Sequence, residues 1–422
     1  MNAPVHLSQP TTPTLPDAAA SCPAALGWMQ GSPPPANKLI RFADGSAYQW
    51  PQMRWSFSNF RQLVPTRAVG RGFGAVCALP RAERDDIDAL RFTPLGGGPP
   101  ITWAQSLAAN YTDAILVLHR GRIAYERYFG VQKPGGQHIA MSLTKSVIGT
   151  LGALLVTEDV LNAETNVAHY LPELRDTGLA DATVRQLLDM STGLQYSEDY
   201  DDPHAEVWVH MCAGNVLPRP PGYPGPDSFY AYLQSVKKQG EHGTGFAYKT
   251  INADALGWVI RRATGASVSS NLAQRIWHKL GAEQDAYFTI DNTGCEFAGG
   301  GLNTSLRDLG RFGEMMRCGG HFNGQQIVPK SVVDDIRFGG NKTHFALANG
   351  ATLPGWSYRN MWWVPHNTNG AFMARGVHGQ TVYVDPTAEM VMVRFASHPV
   401  ANNDANDATS LPAWQALADH LR

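Results

Sequence analysis

The segment 141–146, Met-Ser-Leu-Thr-Lys-Ser, has the residue types needed for nucleophilic catalysis. Residues three apart share a face of a helix, so the hydroxyl of Ser142 and the amine of Lys145 could meet. A serine hydroxyl is a weak nucleophile until a base accepts its proton, and a lysine amine can do so when burial lowers its pKa. A helix N-terminus also supplies N–H groups suited to a developing oxyanion. The segment therefore predicts acyl transfer through Ser142.

The spacing alone is weak, because Ser235 and Lys238 repeat it. That second copy ends an ordinary amphipathic stretch, so its lysine is predicted to be solvated and its role structural. Ser142 instead precedes Val-Ile-Gly-Thr-Leu-Gly-Ala-Leu-Leu, a run typical of a buried helix with close packing. A lysine at the start of a buried helix needs a reason, since charged side chains are rarely buried without one.

Two further segments carry groups that could assist. In 245–250, Gly-Phe-Ala-Tyr-Lys-Thr, the phenol of Tyr248 precedes a helical pattern and could relay a proton if nearby cations lower its pKa. The alternative is a packed aromatic with a satisfied hydroxyl. In 376–380, Gly-Val-His-Gly-Gln, His378 follows a strand-like run. Its alternatives are a packed histidine or a turn residue at the end of a strand.

The elements that must position these groups can be predicted from patterns in the sequence. Asp113–His119 and Arg122–Phe129 indicate a β-hairpin that turns at Gly121. A helix is predicted over Ser142–Leu155. The segment 160–345 is mostly helical in pattern, with long Pro/Gly-rich loops.

Strand-like runs return near the end of the chain, followed by a helix from Leu411. We therefore expect an α+β fold: one antiparallel sheet built from both ends of the chain, flanked by helices, with a mainly helical second domain. The predicted sheet domain comprises 38–159 and 346–422, and the helical domain comprises 160–345. Residues 1–37, rich in Pro, Ala, Ser and Thr, are predicted to form a flexible arm.

Composition excludes several classes of function. The 422 residues carry a formal net charge of −2, which argues against nucleic-acid or anionic-membrane partners. The first residues lack the pattern of a signal peptide, and the five cysteines are scattered, so we expect a cytoplasmic protein with reduced thiols. No histidine spacing suggests a metal, and no cofactor motif is present, so we expect neither. The absence of Gly-x-Ser-x-Gly argues against an α/β-hydrolase.

The segment 187–194, Leu-Leu-Asp-Met-Ser-Thr-Gly-Leu, resembles the Leu-Leu-x-His-Thr-Ser-Gly-Leu stretch of class C β-lactamases and their esterase relatives. It lies in the expected order with the three segments above. Over roughly residues 50–410, the chain resembles the 6-aminohexanoate-dimer hydrolases, or nylon-oligomer hydrolases. The shared pieces include Arg54-Trp55, Tyr111-Thr112-Asp113-Ala114, Met141-Ser142, Glu198-Asp199-Tyr200, Trp362-Trp363 and His378-Gly379-Gln380.

The resemblance implies a β-lactamase/transpeptidase-like fold and a role for each matching residue. Ser142, Lys145 and Tyr248 would be the catalytic trio, and the N–H groups of Ser142 and Val377 would form the oxyanion hole. The residues that would bind substrate are Tyr200, Met211, Gly299, Trp363, His378 and Gly379. For Tyr200 the alternative is a loop anchor, since it lies in an acidic loop.

The chain departs from the related patterns at three places. Thr250 stands where β-lactamases have Asn, and the Lys of Lys-Thr-Gly is absent. Both departures argue against penicillinase activity. Met211 stands where the family enzyme active on the dimer has an acidic residue, which puts dimer activity in doubt.

We therefore predict a serine hydrolase that cleaves linear amides like 6-aminohexanoate oligomers, or small esters, through an acyl-serine. The alternatives are a short-chain carboxylesterase or a D-amino-acid amidase and, less favoured, a non-catalytic binding module. The expected partner is a small amide or ester, and a homodimer is possible.

Overall fold

The computed structural model describes residues 16–422, so residues 1–15 of the predicted arm lie outside the described residues. Further along that arm, the chain contacts a buried guanidinium. Arg54 donates hydrogen bonds to the Ala18 carbonyl oxygen and, over 2.7 Å, to the Ser21 hydroxyl. These contacts hold this part of the arm against the body of the chain, while its flexibility stays a prediction.

The described part of the chain forms strands in one large antiparallel sheet and three smaller ones. Their bounds, in chain order, are β1 Thr66–Val69, β2 Arg91–Phe92, β3 Ile101–Thr102, β4 Thr112–His119, β5 Arg122–Tyr128, β6 Gln137–Ile139, β7 Ala286–Thr289, β8 Leu302–Ser305, β9 His321–Phe322, β10 Gln325–Gln326, β11 Ser357–Arg359, β12 Trp362–Val364, β13 Phe372–Gly376, β14 Gln380–Asp385 and β15 Met390–Ala396.

Helices alternate with these strands and fill most of the middle of the chain. They are α1 Pro23–Leu26, α2 Met53–Ser56, α3 Trp103–Ala109, α4 Leu143–Thr157, α5 Val167–Tyr170, α6 Val184–Leu188, α7 Glu206–Ala213, α8 Phe229–Leu233, α9 Ile251–Thr264, α10 Val268–Leu272, α11 His278–Leu280, α12 Leu306–Arg317, α13 Lys330–Phe338, α14 Lys342–Asn349 and α15 Asp404–Leu421. A π-helical segment, Ala273–Trp277, joins α10 to α11.

The large sheet has the strand order β11-β12-β13-β14-β15-β4-β5. It confirms the predicted antiparallel sheet that joins the two ends of the chain, since β4 and β5 precede the helical segment and the other five strands follow it. The pairing of β15 with β4 is what brings the ends together, and β4 is buried along nearly its whole length.

Helices cover both faces of this sheet. Successive strand residues point to opposite faces. Val382 faces α12, where an added Cβ on Gly313 would lie 3.2 Å from its side chain. The next residue, Tyr383, lies 5.8 Å from the ring of Trp414 on α15. Because neither face of the sheet meets water, the sequences of β4 and β15 are mostly apolar and do not alternate between apolar and polar residues.

Helix α4 lies between the sheet and the helical region. Its residues 143–155 are all buried, as expected for a helix that is apolar or small all round. Two glycines make this position possible. A Cβ on Gly149 would come within 2.1 Å of the Asn360 carbonyl oxygen, and one on Gly152 within 3.1 Å of Leu256. The helix that begins beside Ser142 is therefore held by backbone contact on one side and by α9 on the other.

Residues 160–345 contain four strands that the sequence patterns did not predict, β7 to β10. Two of them, β7 and β8, belong to a second sheet with the order β1-β7-β8-β6. Strand β6 ends three residues before Ser142, and its buried His138 stacks on Phe395 with ring centres 4.7 Å apart. This small sheet therefore anchors the chain that leads into Ser142. The division into a sheet domain and a helical domain stays a prediction.

The closing helix was predicted from Leu411, which is wrong: α15 begins at Asp404 and contains Pro412. The extra residues are small and polar, a composition typical of a loop. Tertiary contacts hold them in a helix instead. Asp407 accepts two hydrogen bonds from Arg375, at 2.5 and 2.7 Å, and Arg394 donates to the Ser410 hydroxyl over 2.7 Å.

Candidate active site

A cleft of about 320 Å³ opens where the start of α4, strands β12 and β13, and loops of the helical region meet. Several of the predicted site residues lie on its wall. They are Ser142, Tyr200, Tyr248, Trp363 and Val377.

Ser142 lies at the position that precedes the first turn of α4. The residue before it, Met141, has a φ of 49°, a left-handed conformation that is uncommon for a side chain of this size. One turn into the helix, Lys145 lies behind Ser142 with 1% of its surface exposed. Its Nζ is 2.8 Å from the Ser142 Oγ and donates to the Gly299 carbonyl oxygen over 2.7 Å.

Burial lowers the pKa of Lys145 from its ordinary value to about 8, while the charges of Glu198 and Asp254 act in the opposite direction. A lysine with this pKa has a sizeable neutral fraction near neutral pH. A neutral amine 2.8 Å from a hydroxyl can accept its proton, which is the arrangement a serine nucleophile requires.

Tyr248 lies close to both Ser142 and Lys145, with the Lys145 Nζ 5.0 Å from the centre of its ring. The condition set for a relay, that nearby cations lower the pKa of Tyr248, is not met. Burial, followed by the charge of Glu198, raises the pKa of Tyr248, and a hydrogen bond with Ser142 and the charge of Arg375 oppose this only in part. A phenol in this state keeps its proton and can donate it.

The end of β13 meets the start of α4 through backbone atoms. A Cβ on Gly376 would lie 2.6 Å from the Ala140 carbonyl oxygen and 3.1 Å from the Leu143 nitrogen. Only glycine permits this approach. Ser142 and Val377 both line the cleft, and the oxyanion hole formed by their N–H groups stays a prediction.

Tyr200 and Trp363 both lie on the wall of the cleft. The Tyr200 hydroxyl donates to Glu198 Oε1 over 2.8 Å, and its ring makes an edge contact with Trp208. Trp363 lies 5.5 Å from the ring of Tyr248 and 5.4 Å from the Arg375 guanidinium. The aromatic rings thus leave an apolar surface beside Ser142, on which a hydrocarbon chain could lie.

The other four predicted substrate-binding residues are not among those that line this cleft. Met211 packs toward the cluster around Phe229. Gly299 lies behind the site and binds Lys145 through its carbonyl oxygen.

His378 and Gly379 form the turn between β13 and β14. His378 Nδ1 lies 2.7 Å from the His398 carbonyl oxygen, and burial lowers the pKa of His378 to about 4. These contacts match the alternatives of a packed histidine and a turn residue.

Glu198 is a cleft residue that the sequence reasoning did not single out. Its carboxylate accepts hydrogen bonds from the Tyr200 hydroxyl, the Thr250 hydroxyl at 2.6 Å and the Thr250 N–H at 2.7 Å. All three donors are uncharged, so they leave its negative charge in place. The available signal in the sequence was Thr250, which stands where β-lactamases have Asn. Its hydroxyl donates a hydrogen bond to the carboxylate of Glu198.

Arg375 is a second wall residue that was not predicted. Its Nη2 makes both bonds to Asp407, and its buried Nε has no partner among the described residues. Within residues 16–422 there is no group of His, Cys, Asp or Glu arranged to hold a metal ion. In the same part of the chain, no helix has the length and apolar character to cross a membrane.

A serine that opens a buried helix, a lysine one turn later and an antiparallel sheet covered by helices define a serine hydrolase with a β-lactamase fold. Comparison with known proteins agrees. The sequence model of the family described as Beta-lactamase matches residues 104–413. The chain belongs to the β-lactamase family, in the branch that contains 6-aminohexanoate-dimer hydrolase.

That enzyme, from Paenarthrobacter ureafaciens, is 35% identical over 351 residues, which are 83% of this chain and 86% of the enzyme. Among solved structures, a candidate 6-aminohexanoate-dimer hydrolase from Bacillus anthracis superimposes with a TM-score of 0.83 at 32% identity, covering 92% of this chain and 99% of the other. EstCE1, a hydrolase with promiscuous acyltransferase activity, has a TM-score of 0.59 at 15% identity over 75% of this chain and 96% of its own, and shows the fold alone.

Proposed function

We propose that this serine hydrolase cleaves linear amides like 6-aminohexanoate oligomers, or small esters, through a covalent acyl-Ser142. The observation that carries the proposal is the 2.8 Å distance between the Ser142 Oγ and the Nζ of the buried Lys145. The homology to 6-aminohexanoate-dimer hydrolase supports the choice of amide.

In acylation, the neutral amine of Lys145 takes the proton of Ser142 as Oγ attacks the substrate carbonyl carbon. The N–H groups of Ser142 and Val377 stabilise the oxyanion that forms. As the intermediate collapses, the leaving nitrogen or oxygen needs a proton. Tyr248 donates it, and Lys145 returns the serine's proton to Tyr248, so that the amine or alcohol departs and Ser142 keeps the acyl group.

In deacylation, water replaces the leaving group and the steps run in reverse order. Water gives up a proton to the pair formed by Lys145 and Tyr248 while its oxygen attacks the acyl carbon. The bond to Ser142 Oγ then breaks, Oγ regains a proton, and the free acid leaves. The raised pKa of Tyr248 keeps the phenol protonated, so it holds a proton to pass on, and the lowered pKa of Lys145 leaves part of the amine neutral, so it can accept one.

Glu198 supports an amino-acyl substrate. It is a carboxylate on the cleft wall that is bound only by uncharged donors, so a substrate ammonium would gain an ion pair there. The aromatic wall of Trp363 and Tyr248 suits the alkyl chain of such a substrate. A cleft of about 320 Å³ holds a short linear molecule rather than a folded polymer.

The experiment has two parts. Labelling the full chain with a fluorophosphonate and locating the label by mass spectrometry should identify Ser142, with the Ser142→Ala variant unlabelled. The same protein is then assayed on 6-aminohexanoate dimer, a D-alanyl amide, p-nitrophenyl esters and nitrocefin. Labelling without turnover of any of these would remove the proposed substrate class, and absence of labelling would remove the proposed mechanism.

The short-chain esterase remains the second candidate, and Met211 is the residue that favours it. An apolar side chain packed toward Phe229 offers no charge to an ammonium at a position where the dimer hydrolase has an acid. Hydrolysis of p-nitrophenyl acetate without any hydrolysis of the dimer would select this candidate. The homodimer and the cytoplasmic location stay predictions from the sequence, and light scattering of the purified chain tests the first.

A further inference from the structure

Behind the cleft, a continuous series of buried contacts connects Lys145 to a histidine in the helical region. Lys145 Nζ donates to the Gly299 carbonyl oxygen over 2.7 Å, and the N–H of the same glycine donates to Asp254 Oδ1 over 3.0 Å. Asp254 Oδ2 lies 3.0 Å from His210 Nε2. His210 Nδ1 lies 3.1 Å from the Tyr196 hydroxyl. None of these residues faces the cleft.

The Gly299 peptide between Lys145 and Asp254 has little freedom to move. A Cβ on Gly299 would come within 2.4 Å of the Thr250 methyl carbon and 3.0 Å of the Phe297 ring. The Gly299 N–H and carbonyl oxygen, which belong to the two peptide groups that flank its Cα, are both bound, so this short backbone segment fixes the direction from which the lysine amine is held. The orientation of Lys145 toward Ser142 therefore depends on a carboxylate that it does not touch.

His210 holds that carboxylate. Its ring is fully buried, and Tyr196 faces Nδ1. Burial raises the pKa of Tyr196 well above its ordinary value, so its hydroxyl keeps its proton. A carboxylate only accepts, so a ring hydrogen on Nε2 suits the contact with Asp254, and in that tautomer Nδ1 accepts from the Tyr196 hydroxyl.

His210 Nε2 and Asp254 Oδ2 lie 3.0 Å apart, yet neither atom makes a hydrogen bond among the described residues. The charge of Asp254 acts on Lys145 and raises the pKa of the lysine against the effect of burial. Asp254 also lies in the first turn of α9, where the helix dipole favours an anion.

We propose that Asp254, held by His210, is a positioning residue for Lys145 that acts through the Gly299 peptide and tunes the base by its charge. The proposal rests on the acyl transfer proposed for Ser142 and extends it to residues outside the cleft. The groups that face Lys145 are Ser142 and Tyr248 on the cleft side, and Glu198 and Asp254 as the two negative charges. Removal of one of these charges makes the lysine easier to deprotonate.

The test is the pH dependence of Ser142 labelling by a fluorophosphonate, measured as a second-order rate constant on the full chain. In Asp254→Asn, the limb on which the rate rises with pH should move to lower pH by roughly one unit. The rate on the plateau should also fall, because the peptide loses its anchor. A purely structural role would lower the plateau and leave the limb in place.

Two further variants keep the test decisive if Asp254→Asn does not fold. His210→Leu removes the ring that holds the Asp254 carboxylate in place, so the carboxylate can move away from Gly299 and Lys145, and the limb should move in the same direction. His210→Gln retains an N–H donor and should leave it near its original position. The matched control is Asp291→Asn, because Asp291 is a buried carboxylate that accepts backbone N–H groups of Phe229 and Cys295 away from Lys145.

The inference is overturned if the limb does not move in Asp254→Asn or, where that variant does not fold, in His210→Leu. It is also overturned if Asp291→Asn shifts the limb by the same amount. Absence of labelling at Ser142 in the unmodified protein is a different result, since it contradicts the proposed function itself.

Discussion

The two Ser-x-x-Lys copies in this chain have the same spacing and opposite surroundings. Ser142 precedes a helix of 15 residues, and Lys145 is buried against it. Ser235 lies beyond the end of α8, its hydroxyl donates to a nearby backbone carbonyl, and the exposed Lys238 forms an ion pair with Asp181 at 2.6 Å.

The difference shows that Ser-x-x-Lys spacing brings the two side chains together only where a helix carries both residues and the lysine is buried. Helix α8 ends at Leu233, so residues 235–238 lack the helical geometry that places residues i and i+3 on one face. Burial lowers the pKa of Lys145, whereas the hydrogen bond with Asp181 raises the pKa of Lys238. An amine that is always charged cannot accept a serine proton.

The largest expected effect is the difference between removing the hydroxyl of Ser142 and removing that of Ser235. Ser142→Ala should abolish hydrolysis of esters and amides, because no other described group lies in position to form the acyl-enzyme. Ser235→Ala should leave kcat/KM within twofold, since its hydroxyl only caps a turn. Steady-state kinetics on p-nitrophenyl acetate compares the two. Retained turnover in the first variant would show that the buried copy is not the nucleophile.

Next in size are the groups that move protons. Lys145→Ala and Tyr248→Phe should each lower kcat by roughly 10²–10⁴-fold, the usual scale for general acid–base groups. The double variant should lose less than the product of the two, because the residues act as a unit. Lys238→Ala is the control and should have the activity of the unmodified protein. Independent, multiplicative losses would argue against a shared proton path.

Much of what positions Ser142 was predictable from local pattern. The hairpin was expected over Asp113–His119 and Arg122–Phe129 and is found within one residue of those bounds at each end. The helix after Ser142 was expected to Leu155 and ends at Thr157. These elements follow from runs of adjacent apolar residues, which sequence alone displays.

What could not be predicted depends on residues far apart in the chain. Glu198 acquires its place on the cleft wall from Thr250, 52 residues away, and Arg375 acquires its orientation from Asp407. Strands β7 and β8 are four residues each, too short to reveal a period, and form because β1 and β6 pair with them. The first two turns of α15 likewise depend on partners across the fold.

A third prediction uses pH to separate the two lysines. Only the neutral amine of Lys145 accepts the serine proton, so kcat/KM for an ester should rise about tenfold per pH unit below about pH 8 and level off above it. The rate falls at lower pH because burial lowers the pKa of Lys145 to about 8, and protonation of the amine below that pH removes the base. Lys238→Ala should leave the profile unchanged. A rate independent of pH between 6 and 8 would contradict a lysine base.

The smallest effect concerns Tyr200, and it decides whether the cleft is built for amides. Amide cleavage needs the leaving nitrogen protonated with its lone pair oriented, whereas an ester oxygen leaves with less help. Because Tyr200 donates its proton to Glu198, its oxygen is free to accept the N–H of a scissile amide.

One such hydrogen bond, made mainly in the transition state, contributes about 1–3 kcal/mol, or roughly 5- to 150-fold in rate. Tyr200→Phe should therefore depress amide hydrolysis by that factor and leave ester hydrolysis nearly unchanged, measured as kcat/KM for one acyl group carried on both leaving groups. Tyr232→Phe is a suitable control, since that hydroxyl bonds the Glu206 carbonyl oxygen within the helical region. Equal losses on both substrates would make Tyr200 an anchor for its acidic loop, because a collapsed loop would disturb Glu198 and the cleft for every substrate alike.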